Sequence, residues 1–109
     1  MLWAEVGVRQ MILRVWRGYT APQDADTYEA MLRETILPGI HRLAGYRGAY
    51  LARRNGHQEV EFLTLTLWES MDAVRVFSHD GSAVIHDAAR PLLTRSDQFS
   101  VHYDATFVP

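Results

Sequence analysis

The sequence predicts an α+β domain of ferredoxin-like type: a four-stranded antiparallel sheet in the order β-α-β-β-α-β, with helices on one face. Three observations predict it. Apolar residues recur at a spacing of two in some segments and at helical spacing in others, and the two kinds alternate along the chain. The 109 residues suffice for one core but not two. The strongest strand carries apolar side chains on both of its faces, which sets the assembly as well as the fold.

Met11 to Arg17 reads Met-Ile-Leu-Arg-Val-Trp-Arg, rich in β-branched and aromatic residues, and runs to Gly18 and the turn-prone Thr20-Ala21-Pro22, so it is the first strand. Asp26 with Glu29 three residues later has the form of a helix N-cap, where orphan amides and the helix dipole favour acids. Tyr28, Leu32, Ile36, Ile40 and Leu43 then form one apolar helical stripe. Pro38 and Gly39 predict a kink or early end, because proline lacks an amide proton and crowds the preceding turn. After Gly45, Tyr46 to Arg54 forms the second strand and Asn55-Gly56 the turn. Val60 to Trp68 is the third strand, with Phe62, Thr64, Thr66 and Trp68 on one face and Leu63, Leu65 and Leu67 on the other. Ser70 caps a second helix with Met71, Val74 and Phe77 inward. His79 to Ser82 breaks it, and Ala83 to Arg90 restarts it. Pro91 and the polar stretch Thr94 to Gln98 end that segment, and Phe99 to Tyr103 forms the last strand, with Val108 as its farthest extent.

Hydrophobic residues make up 48% and charged residues 22% of the chain, the composition of a folded globular protein. The 11 cationic side chains are all arginine and stand against 13 acidic ones without a run of either sign. That balance argues against a dedicated nucleic-acid binder, which needs clustered cations. The absence of cysteine excludes disulfides, thiolate catalysis and cysteine-ligated metal. No apolar run approaches the ~20 residues of a membrane span. Residues 1–10 are too short and too charged for a signal peptide and are expected to be an N-terminal extension, with the domain at residues 11–108 and the cytoplasm as the default compartment.

Leu63, Leu65 and Leu67 are joined on their face by Leu13, Val15 and Leu51, so both sides of the sheet are expected to be buried. Helices cover one side, and no segment remains for the other. A second copy of the chain is therefore the expected partner, giving a homodimer; the alternative is partial cover by loops or the N-terminal decapeptide.

Three segments carry a family likeness: Met11-Ile-Leu-Arg-Val-Trp-Arg-Gly18; Leu37-Pro-Gly-Ile40 leading to Gly45-Tyr-Arg-Gly48; and Glu59 to Ser70, ending in Trp68-Glu69-Ser70. In their order and spacing they resemble the antibiotic biosynthesis monooxygenase domain over Met11 to Val108. The resemblance implies a dimeric α/β barrel with a ligand cleft in each subunit between sheet and helices. Some relatives convert polycyclic phenols to quinones without flavin or metal, and others bind and degrade haem. In the quinone-forming relatives an asparagine and a tryptophan stand four apart on the third strand. Trp68 matches the tryptophan, but Thr64 stands where the asparagine would be, and a hydroxyl cannot offer an amide's donors beside a carbonyl. For the haem-degrading relatives, His86 lies in the region of the iron ligand, and Phe77 stands in place of their tryptophan.

The expected site follows from these residues. Trp68 would stack on an aromatic substrate or anchor the core. Trp16 and Tyr50 are expected to point into the same space, as substrate contacts or as filling. Arg14, between Ile12 and Trp16, puts a guanidinium on the inward face, where it needs either an anionic ligand or an acid such as Asp104. His86 and Arg90, four apart on a helix, could take a phenolic proton and hold the anion, or lie solvated. His41, His57, His79 and His102 read as solvated, with no partner at ligand spacing, so neither a metal nor a cofactor is expected. No phosphate loop or nucleophile elbow is present. The expected activity is a cofactor-independent monooxygenase for an electron-rich, quinone-forming phenolic molecule. The alternatives are a dimeric ligand-binding or stress-response protein and a haem binder.

Overall fold

The computed structural model describes residues 10–80 and 87–109, with the backbone alone at Gln10, His79 and Asp80. His86 and the expected helix restart over 83–86 lie outside the described residues, as does the decapeptide apart from Gln10.

Strand β1 spans Gln10–Thr20, and a 3-10 turn at Pro22–Asp24 leads into helix α1, Ala25–Met31. The helix widens into a π turn over Leu32–Ile36 and resumes as α2, Leu37–Ile40. Strands β2, Tyr46–Asn55, and β3, Val60–Trp68, precede α3, Met71–Asp80. A 3-10 turn at Arg90–Leu92 runs straight into β4, Leu93–Ser96, and β5, Val101–Thr106, follows. The sheet is antiparallel in the order β2-β3-β1, with β4 and β5 both on the far edge of β1. The ferredoxin-like arrangement is thus present. Among the described residues no helix is long and apolar enough to cross a membrane.

Four sequence expectations need correction. The fourth strand comes in two pieces, and Thr94 to Ser96, read as loop, belong to the first of them. β4 pairs with Gly18 to Thr20 and β5 with Gln10 to Val15. Between them Asp97 is tied to Arg17 twice: the Arg17 amide donates to its carboxylate at 3.1 Å, and its own amide donates to the Arg17 carbonyl at 2.9 Å. A polar, solvated edge strand shows no apolar alternation, so its beginning is invisible in sequence.

Leu43 of the expected stripe lies outside the helix, which ends at Ile40 soon after passing through Pro38. The π turn just before it, closed by the Leu37 amide on the Leu32 carbonyl, opens the backbone where the ring would otherwise crowd the previous turn. Asp26 lies in the first turn of α1 but does not cap it, because its carboxylate accepts from the Arg53 guanidinium at 2.8 Å, beside Glu29 at 2.9 Å. Ser70 does cap α3, its hydroxyl accepting from the Ala73 amide at 3.2 Å.

The fourth correction concerns which residues face the helices. A β-bulge between Tyr46 and Gly48 inserts one residue into β2, with Gly48 at φ +137°. Tyr46 pairs with Trp68, but beyond the bulge Ala49 and Leu51 pair with Thr66 and Thr64, and Tyr50 pairs with Leu65. Tyr50 therefore stands on the face away from the helices and is 69% exposed, while Leu51 packs inward against the core under α1. One added residue exchanges the two faces.

Two clusters fill the space between sheet and helices. Tyr28, Leu32 and Ile36 meet Val60 and Phe62 in the first; Ile40, Val74 and Phe77 meet Trp68 in the second. Gly45 makes the approach of α3 possible: its φ is +83°, and a Cβ there would lie 2.5 Å from that of Ala73. On the opposite face Leu13, Val15, Leu63, Leu65 and Leu67 remain half-buried, and Tyr50, Val101 and Tyr103 exposed.

Candidate functional site

Between helices and sheet lies a small cavity of about 40 Å³. Tyr28, Leu32, Ile36 and Ile40 wall it on the helix side, the residues of the π turn among them, and Arg14, Trp16, Thr64 and Thr66 form its floor. Phe77, Ala89 and Leu93 complete it. The floor residues belong together because Arg14 is paired with Thr66 and Trp16 with Thr64 across β1 and β3. A benzene-sized void needs roughly 150 Å³, so this chamber holds a diatomic molecule or a water and no aromatic ring.

A second, open groove of about 320 Å³ lies on the other side of the same two residues. Arg14 and Trp16 are shared with it, and Ser78, Gln98, Phe99, Ser100 and His102 form the rest of its lining. Its size falls within the range of small-molecule sites. Arg14 and Trp16 thus form the partition between an inner apolar chamber and an outer, more polar groove.

Arg14 is only 9% exposed, and its Nε makes no hydrogen bond among the described residues. The guanidinium carbon sits 5.0 Å from the centroid of the Phe77 ring, which offers the face of its π system. The Asp104 ion pair weighed from sequence is not formed: Asp104 is exposed, opposite Ile12 in register, and no ion pair joins it to Arg14. Burial lowers the pKa of Arg14 from its ordinary value. The Trp16 indole donates to the Asp97 carbonyl at 3.1 Å, which fixes the other half of the partition.

Trp68 is fully buried, at 0% exposed, and does not line the cavity. Its Nε1 donates to the Thr66 hydroxyl at 2.8 Å, and its ring stacks on Phe77 with centroids 5.0 Å apart and meets Tyr46 edge-on at 5.4 Å. It therefore reaches the cavity only through Phe77 and Thr66. Thr64 and Phe77 do line the inner chamber, whereas Tyr50 lies on the opposite face of the sheet. Arg90 is exposed on the turn before β4 and outside the lining, between Ala89, which is in it, and Pro91. Among the described residues no three His, Cys, Asp or Glu side chains converge.

Two residues that sequence reading passed over belong to the site. Tyr28, read only as part of a helical stripe, lines the cavity, and burial pushes its phenol up to about 12, so it stays protonated. His102, read as solvated, is the cross-strand partner of Arg14 and faces the groove. Desolvation first, then the Arg14 charge, lowers its pKa from the ordinary 6.5. The one signal that could have found it is register, which a single sequence does not show.

No protein-family model and no curated protein sequence matches the chain. Solved structures do match its fold. A monooxygenase from the gene ActVA-Orf6 of Streptomyces coelicolor, in complex with nanaomycin D, is 19% identical over 93% of each chain, with a TM-score of 0.70. A variant of SnoaB, a cofactor-independent oxygenase from Streptomyces nogalater, is 20% identical over 91% of this chain and 92% of its own, with a TM-score of 0.63. The haem degrader MhuD from Mycobacterium tuberculosis, with two haems in its active site, is 18% identical over 86% of this chain and 94% of its own, with a TM-score of 0.64. Proteins assigned as antibiotic biosynthesis monooxygenases in Bacillus cereus and Nitrosomonas europaea share the fold as well. Identities at this level speak to architecture, and the architecture of this chain is the ferredoxin-like fold of the antibiotic biosynthesis monooxygenases.

Proposed function

We propose that this protein is a cofactor-independent monooxygenase acting on an electron-rich, phenolic small molecule that becomes a quinone. The observation that carries the reading is the position of Arg14: a buried guanidinium with an unpartnered Nε in the wall between an aromatic-sized groove and an apolar chamber of molecular-oxygen size. A phenolate in the groove would pair with Arg14 and lie against Trp16, while dioxygen occupies the chamber beside Thr64 and Phe77. The substrate anion supplies the electrons: with an anthrone-type ring, one oxygen atom becomes the new carbonyl and the other leaves as water, with both methylene hydrogens. The protein contributes orientation, charge and exclusion of water. Trp68 acts as a positioning residue behind Phe77, and His86 and Arg90 remain candidates for proton handling. The fold of SnoaB and of the nanaomycin-binding monooxygenase supports the reading.

The same proposal includes a homodimer closed through the leucine face of the sheet. Fully burying each of Leu63, Leu65 and Leu67 would contribute about 1.5 to 3 kcal/mol before association entropy is subtracted.

A binding protein without catalysis is favoured by one observation, the narrowness of the inner chamber. Aerobic incubation with anthrone- and hydroquinone-type compounds decides between the two. The oxygenase reading expects oxygen uptake matched to quinone formed, falling about tenfold or more in Arg14→Gln. Uptake no faster than the buffer blank leaves the binding reading.

A further inference from the structure

We infer that His102 and Arg14 act together as a proton acceptor and anion holder in the outer groove, so that the ligand enters as a neutral phenol or enol and is held there as its anion. The inference rests on the reading of the groove as a phenol site and adds the residue that ionises the ligand.

Placement is the first ground. His102 and Arg14 are directly opposite in the ladder between β5 and β1, so their side chains leave the same face of the sheet. Both line the groove. The imidazole is oriented by Ser100, whose hydroxyl lies 3.4 Å from Nε2.

Charge is the second. A base must be unprotonated to accept a proton, and the neighbouring guanidinium together with partial desolvation holds His102 neutral near pH 7. The arriving ligand reverses that bias. When the phenol O–H bond breaks and the proton passes to an imidazole nitrogen, the phenolate oxygen pairs with Arg14, and the cation that disfavoured protonated His102 is compensated. Proton transfer and anion binding therefore favour each other. No oxidant is involved in this step. Among the described residues, Asp104 leaves the same face of β5 as His102, and Ser78 of α3 lines the groove.

The third ground is the Arg14 guanidinium itself, which lines the groove while its buried Nε has no hydrogen-bond partner among the described residues, a costly state for a donor in a folded protein. A cation so poorly compensated, with a groove beside it, accepts an anion where it would reject a neutral isostere.

The test uses the full chain with 4-nitrophenol, whose anion is coloured, and 4-nitroanisole, its methyl ether, at a pH below the ionisation of free 4-nitrophenol. The expected result is that 4-nitrophenol binds as the coloured phenolate at least ~10-fold tighter than the ether, a difference that disappears in Arg14→Gln. Calorimetry in two buffers of different ionisation heat counts protons. Wild type should release few, because His102 retains them; His102→Gln should bind more weakly and release about one proton per phenolate bound. An unchanged proton count in His102→Gln overturns the role of His102 and leaves the phenol groove standing. Equal affinity for phenol and ether overturns the anion site. Failure of both ligands to bind overturns the inference and counts against the proposed function, and a wild-type complex of uncoloured phenol overturns the inference alone. His102 is exposed, so its replacement leaves the core untouched.

Discussion

The guanidinium of Arg14 lies over the ring of Phe77, 5.0 Å from its centroid, and Phe77 in turn stacks on Trp68 at 5.0 Å. Among the described residues no carboxylate pairs with this buried cation, and a π face is a weak partner for a desolvated charge. Arg14→Met should therefore leave thermal stability unchanged or raise it by about 1 kcal/mol or more, while abolishing binding of phenolate ligands. Denaturant unfolding and a phenolate titration measure the two effects separately. Strong destabilisation would show that Arg14 has a structural partner.

Trp68→Phe removes the bond to Thr66 and part of the ring stacked on Phe77. It should cost about 1 to 3 kcal/mol in unfolding free energy. If Trp68 acts only by positioning Phe77, kcat should fall modestly with little change in KM. A loss of activity as complete as that of Arg14→Gln would place Trp68 in contact with substrate.

Gly45→Ala meets two obstacles, the positive φ of +83° and a Cβ contact of 2.5 Å with Ala73. The expected loss is roughly 1 to 3 kcal/mol. Adding Ala73→Gly should recover the contact component and leave the backbone component, so the double variant should melt between Gly45→Ala and wild type.

His102 has a lowered pKa in the folded protein, so the unfolded chain binds its proton more readily. Its contribution to stability is therefore complete above the ordinary value of 6.5 and is lost as the pH falls from there through the lowered folded value. Stability measured from pH 8 to pH 5, a range chosen to bracket roughly the ordinary histidine pKa, should fall less steeply in His102→Gln than in wild type. Parallel slopes would show that the imidazole is in the same environment folded and unfolded.

Leu65 lies at the centre of the uncovered face, between Val15 on β1 and Tyr50 on β2. Leu65→Glu should convert a dimer to a monomer in light scattering at micromolar concentration while keeping its far-ultraviolet dichroism. A wild type already monomeric there would overturn the dimer.

The alternation in Val60 to Trp68 was readable because every second residue of a central strand meets the same neighbours, and Thr64, Thr66 and Trp68 all face as the pattern requires. The stripe from Tyr28 to Ile40 was readable for the same reason at helical period, even where a π turn stretches it. The inward direction of Arg14 and Trp16 followed from alternation alone.

Other features needed the folded chain. A bulge of one residue carried Tyr50 out of the site and Leu51 into the core, because period two reports a face only up to the next insertion. Alternation told which way Trp68 points but not how deeply Phe77 and Tyr46 cover it. The partnership of Arg14 with His102, separated by most of the chain, is a matter of strand register, and so is the absence of Asp104 from that partnership. Local sequence set the elements and their faces, since these depend on backbone geometry over a few residues. Tertiary structure decided which charges meet, since that depends on where distant strands come to rest against each other.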